Sequence, residues 1–414
     1  MIALKRFFLL LALLLALPSP APAHTREEVR GAWQAVGDRQ EGSPYAGMPV
    51  LHAPYEAGGL TPEACGDALN TLNFIRWLAG LQPVEESVIY DYQCQHAAAL
   101  LATLDYADHN APMPADMDKN FYDSAHLGTA SGNIARFNWM GDAILREAVT
   151  YFARDDGEAN LGALGHRRWV LNPRMADTGF GLAGSETGMS YVVMYAHDLG
   201  KPDAEWDRVS WPAPGAFPAE LMHDHLAWSL SLNPEVYDLA ASAPSVTLTE
   251  PALGLSFAFR PASGEGDGFC AVNMEGYGSG GCIIFRPDFE GTDFADYQQN
   301  QRWTVRVEGL TTPEGGEAVI EYTTEMIALT AQDAVNVEIS PLSATLRPGE
   351  TLRLSAAVVP AYADDLSVRW ASSDGAVATV DADGVVTAVA PGDCEITCTD
   401  SAGHTDLCSL TVSP

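Results

Sequence analysis

The sequence predicts a multidomain chain in which an α+β or three-layer unit is followed by two all-β, sandwich-like units. Three observations predict it. Apolar residues recur at helical spacing between residues 61 and 154, β-branched and aromatic runs follow up to residue 200, and short strand-like runs between turn-forming clusters fill the rest. A length of 414 residues fits such a division, at about 100–200 residues per domain.

The elements follow in chain order. Lys5-Arg6, an apolar run over 7–17 and Ala21-Pro22-Ala23 have the order of a secretory signal peptide, assigned to residues 1–23. No later stretch approaches the roughly 20 apolar residues of a membrane helix. Residues 24–60 are rich in Gly and Pro and read as an extension or linker. Thr61-Pro62-Glu63 reads as an N-cap with Pro at the first helical position. The helix it opens carries Leu69, Leu72, Ile75 and Leu78 and stops at Gly80. Further helices are expected over 87–106 and 142–154, with a loop over 107–133 between them, and strands over 178–182 and 189–195. These make the unit 61–200. Residues 201–330 form a β-rich unit, with strand candidates at 245–249, 282–285, 303–307 and 318–323. Residues 331–414 form a small sandwich.

The charge is lopsided, with 22 Lys and Arg against 55 Asp and Glu. Such a surface repels nucleic acid and anionic lipid heads. The seven cysteines form no C-x-x-C pair, which argues against a thiolate zinc site. In an oxidising compartment disulfides are expected, with Cys65–Cys94, Cys270–Cys282 and Cys398–Cys408 as candidates and Cys394 left over. The Gly-rich stretch 276–281 reads as the hairpin turn between Cys270 and Cys282. The chain has no G-x-S-x-G elbow, H-E-x-x-H helix or G-x-x-x-x-G-K loop.

Three stretches of the first unit resemble the CAP superfamily of cysteine-rich secretory, antigen 5 and pathogenesis-related proteins, in its bacterial SCP-like form. Leu72-Asn73-Phe74-Ile75-Arg76 with Gly80-Leu81-Gln82-Pro83 is similar to the family's opening helix and turn. His109, ahead of Pro112 and Pro114, is similar to its first histidine. Ala148-Val149, Phe152 and Asp155, then Gly165-His166-Arg167-Arg168, resemble its third motif and the Gly-His that follows. Within residues 331–414, Gly349-Glu350-Thr351, Val368–Asp374, Val377–Val380 and Gly384–Ala388 resemble a group 2 bacterial immunoglobulin-like domain.

The CAP resemblance implies an α-β-α sandwich with a cleft into which His109, Asp155 and His166 converge. It also implies a second acid, but Gly132 stands at that position in Ser131-Gly132-Asn133. Two imidazoles and a carboxylate could hold Zn²⁺ or another divalent ion, or act as a base. Without the second acid, the expectation is a ligand-binding or interaction module without demonstrable catalysis, secreted or held at the cell surface. Its ligand would be an extracellular glycan, lipid or protein, with the β units as spacers. The rival expectations are a peptidase-like metal-dependent hydrolase using His109 and His166, and a structural or adhesion protein with a vestigial cleft. Arg167 and Arg168 are expected to pair internally and Trp169 to sit in the core. His223-x-His225 offers metal-chelating spacing without a third ligand, and His126 is an alternative to His109.

Overall fold

The computed structural model describes residues 23–37, 41–261 and 265–414. The expected signal peptide, Ala23 excepted, lies outside the described residues. Six helices are described: α1 (Arg26–Val36), α2 (Pro62–Leu78), α3 (Val88–Leu104), α4 (Lys119–Ser131), α5 (Ile144–Arg154) and α6 (Gly165–Val170). Thr61 caps α2 by accepting from the Ala64 amide at 3.2 Å, and Asp118 caps α4 at Asn120 and Phe121.

Three antiparallel strands, β1 (Gly132–Phe137), β2 (Phe180–Gly184) and β3 (Ser190–Tyr195), form a sheet with β3 in the centre. Side chains alternate across it. Ile134, Ala183, Tyr191 and Val193 pack in one core with α3 and α4. Ala135, Leu182, Val192 and Met194 pack in another with α2 and α5. The unit is therefore a three-layer α/β/α sandwich. Helix α4 falls where a loop was expected over 107–133, and strand β1 begins at the end of that stretch. The sequence of α4 is largely polar, and Gly128 lies inside the helix. That glycine is needed, because a Cβ there would strike the Gln93 carbonyl and come within 2.8 Å of Ala97 Cβ on α3.

The second unit is a two-sheet sandwich. One sheet has four strands (Gly268–Asn273, Cys282–Pro287, Trp228–Leu232, Arg208–Trp211) and the other has six, with Ser245–Glu250 and Arg302–Thr311 at its centre. Trp211, Trp228 and Trp303 are fully buried between them. Their core is continuous with that beneath α2 and α5, so no gap in packing marks the expected boundary at residue 200. The third unit has its own core, including Val337, Ile396 and Leu410.

The stretch read as a linker contains α1, which has a Thr25–Glu28 capping box and a fully buried Val29. Its arginines reach both β units. Arg26 donates to Asn300 Oδ1 (2.8 Å) and Glu325 Oε1 (2.7 Å), and both Arg26 and Arg30 bind Asp364.

All seven cysteines are free thiols in this structure, and the expected disulfides are not formed. The register gives the reason for two pairs. Cys270 faces Phe285 while Cys282 faces Asn273, and Cys398 faces Asp406 while Cys408 faces Ile396. Cys65 and Cys94 belong to different cores.

Candidate functional site

His109, His166 and His197 line one cavity of about 490 Å³, together with Gly132, Asn133, Asn160, Trp169 and Tyr277. His109 lies in the loop after α3, where its Nδ1 donates to the Thr129 carbonyl at 2.8 Å. His166 is the second residue of α6, and its Nδ1 donates to Asp155 Oδ1 at 3.0 Å. A neutral imidazole bonded in this way carries its lone pair on Nε2.

Asp155 ends α5 in the left-handed region, at φ 49°, and is 5 % exposed. Besides the imidazole it accepts from Asn160 Nδ2 (2.7 Å) and the Arg167 amide (3.2 Å). The carboxylate thus ties the end of α5 to the start of α6 and fixes the ring between them. Asn133 Nδ2 donates to the His166 carbonyl at 3.0 Å, bracing α6 from β1.

The other residues of the Gly165–Trp169 segment depart from expectation. Among the described residues Arg167 and Arg168 make no ion pair; they fasten the first unit to the second. Fully buried Arg167 donates to the carbonyls of Ala153 (2.7 Å), Arg154 and Ala227 (2.6 Å) and to Ser229 Oγ (3.3 Å). Burial pushes its guanidinium down to about 10, against the attraction of Asp155. Arg168 donates to Asn273 Oδ1 (2.8 Å) and the Gly280 carbonyl (2.9 Å), with its guanidinium 4.9 Å from the Tyr277 ring centre. Trp169 is half-buried rather than core, and it packs on His197 with ring centres 4.2 Å apart.

Arg76 holds the other end of α6. Fully buried, it donates to the carbonyls of Gln82, Val170 and Asn172, and burial pushes it down to about 9.

The Gly-rich turn is a hairpin loop, as expected, and also a wall of the cavity. A Cβ on Gly278, whose φ is +74°, would come within 2.7 Å of Trp169 and of Asn172. One on Gly165 would lie 3.0 Å from the Tyr277 ring. Glycine at both places lets the second unit close against α6. Sequence reasoning missed Tyr277 and His197. The only signal for Tyr277 was an aromatic residue inside a glycine cluster; His197 carried none.

The missing acid has a steric counterpart. Gly132 is buried, and a Cβ there would come within 2.6 Å of Val193 Cγ1 and 2.8 Å of the Gly128 carbonyl. The three imidazoles do not form a group of ligand atoms close enough to share one ion. The residues present therefore do not fit a zinc centre built from His109, His166 and a third protein ligand. His126 does not line the cavity; its ring stacks on Tyr122. His223 and His225 lie parallel, 5.8 Å apart, each paired with an aspartate, and form no three-ligand group.

Comparison with known proteins defines the last unit. Residues 333–409 match the family described as Bacterial Ig-like domain (group 2). An Ig-like virion protein of Serratia phage KSP90 is 39 % identical over 100 residues, which are 24 % of this chain and 37 % of that protein. A 3-O-alpha-D-galactosyl-alpha-L-arabinofuranosidase of Bifidobacterium longum subsp. longum is 46 % identical over 70 residues, 17 % of this chain and 6 % of that one. The chain thus spans well under half the length of these relatives. Among solved structures, an intimin mutant of EHEC O157:H7 is 20 % identical, covering 19 % of this chain and 46 % of that one at a TM-score of 0.16. Domains 4 and 5 of the S-layer protein SbsC are 17 % identical, covering 27 % and 65 %, at a TM-score of 0.19. Likeness at this level says nothing of the fold of the whole chain. No helix among the described residues is long and apolar enough to cross a membrane.

Proposed function

We propose that this is a bacterial extracellular or surface binding protein whose residues 61–200 form a CAP-type cleft, completed by the second unit and displayed by the Ig-like unit. The supporting observation is the convergence of His109, His166, His197, Trp169 and Tyr277 on one cavity. Aromatic faces beside imidazole and amide groups suit a ligand with both a flat apolar face and several hydroxyls. The acidic surface, at a net charge of −33, disfavours an anionic one. A neutral glycan meets both conditions. Ligand binding, rather than catalysis, is favoured by the steric exclusion of an acid at Gly132 and by the lack of a third metal ligand.

The test is a glycan array probed with residues 24–414 and with Trp169→Ala and Tyr277→Ala variants. A neutral glycan retained by the parent protein and lost by both variants supports the reading. Binding that both substitutions leave unchanged refutes it.

A further inference from the structure

A second cavity, of about 460 Å³, opens between the first turns of α2 and α3, and its lining shares no residue with that of the histidine cleft. Cys65, Glu86 and Asp91 meet there. Their thiol sulfur and one oxygen of each carboxylate all lie within 4.8 Å of one another, the single group of this kind among the described residues. We propose that these three side chains form a binding site for a zinc-like divalent cation.

The donor set selects the ion. One sulfur with two carboxylate oxygens suits a borderline-soft ion such as Zn²⁺ or Cd²⁺. It offers too few oxygens for Ca²⁺ and the wrong donor for Mg²⁺. Three protein ligands leave the fourth tetrahedral position to water, for which the cavity has room.

The setting is that of a supported site with an entrance. Cys65 is 5 % exposed, Asp91 is half-buried and Glu86 is exposed, so the ion enters from the Glu86 side and comes to rest on the sulfur. Asp91 Oδ1 is held by the Phe180 amide at 2.8 Å, which fixes the carboxylate against β2. Glu86 lies on the short strand Glu85–Glu86, which pairs with Asp177–Thr178. Small movements of Cys65 and Glu86 bring the donors to bonding distance, while Asp91 stays fixed. On binding, the S–H bond breaks, the sulfur–metal bond forms and the proton passes to solvent. The ion would then clamp the starts of α2 and α3 and the strand between them.

The experiment uses the full chain purified under reducing, metal-free conditions and titrated with Zn²⁺, then with Co²⁺ as a spectroscopic probe. One equivalent of Zn²⁺ should bind, and Co²⁺ should show thiolate-to-metal charge transfer in the near ultraviolet. Asp91→Asn and Cys65→Ser should abolish both signals. Glu86→Gln, at an exposed position where folding is not at stake, should weaken Zn²⁺ binding on the order of 10–100-fold. His109→Ala with His166→Ala should change neither. Failure to bind a stoichiometric ion would overturn the proposal. So would Zn²⁺ binding unchanged in Glu86→Gln and Cys65→Ser, or a Cys65–Cys94 disulfide in the protein as secreted.

Discussion

Replacing Arg167 tests whether the first two units are one cooperative structure. The guanidinium is fully buried, and its removal strips the donor from three main-chain carbonyls, those of Ala153, Arg154 and Ala227. Each buried acceptor left unpaired costs about 1–3 kcal/mol. Water reaching part of the vacated space offsets some of this, so Arg167→Ala should lose about 4–6 kcal/mol. Arg167→Lys keeps the charge but cannot span both units with one rigid fork, and should lose about 2–3 kcal/mol. Because Ala227 belongs to the second unit and the other two carbonyls to the first, the loss should also uncouple them. Guanidinium chloride unfolding should show one transition for residues 24–330 in the parent and two in Arg167→Ala. Unfolding of that variant within about 1 kcal/mol of the parent, in one transition, would refute the reasoning.

Other substitutions probe other parts. Tyr277→Phe keeps the ring over Arg168 and loses only the bond to Glu275, so it should retain glycan binding that Tyr277→Ala loses at least ~10-fold. Gly132→Glu should not restore the missing acid; its Cβ collides with Val193, and thermal denaturation should show a loss of about 1–3 kcal/mol. Loss of hydration, with His109 nearby, holds the His197 imidazole below its ordinary 6.5. A base held down in the fold takes its proton more readily when unfolded, so its stabilising contribution is present above pH 6.5 and is lost as pH falls below it. The fall in Tm between pH 7.5 and 5 should therefore be smaller in His197→Gln than in the parent. Asp364→Ala removes the salt bridges from α1, and combined with Gln299→Ala and Asn300→Ala, which remove the bonds to Tyr362 and Ala363, it should free the Ig-like unit, seen as a larger radius of gyration in solution scattering with all cores still folded.

Helices α2, α3 and α5 were legible because their apolar residues recur at helical spacing and Thr61-Pro62 marks a start. Helix α4 was hidden because the face it buries, Phe121, Ala125, Gly128 and Thr129, has helical spacing but a single large apolar residue, too weak a stripe to read. Helix α1 did announce its start, through the Thr25-x-x-Glu28 capping box; what could not be read was that Arg26 and Arg30 reach partners about 300 residues away. The same holds at the site. His109, Asp155 and His166 could be picked from local motifs, whereas His197 and Tyr277 enter through tertiary packing. The disulfides were misjudged because symmetry about a turn fixes loop length but not register, and Cys398 and Cys408 miss each other by two residues.

The grip of α1 on Asp364 has a mechanical consequence. The Ig-like unit is joined to the rest by the covalent chain leaving Glu317–Ile327, by hydrogen bonds that Gln299 and Asn300 donate to the Tyr362 and Ala363 carbonyls, and by the salt bridges from Arg26 and Arg30. A pull on the far end of that unit would be shared among these connections. The part carried by the arginines would pass through α1 onto α2, on which it packs, and so towards the layer that supports α6. Tension on the outermost unit would thus be felt at the cleft even if the intervening sandwich did not deform.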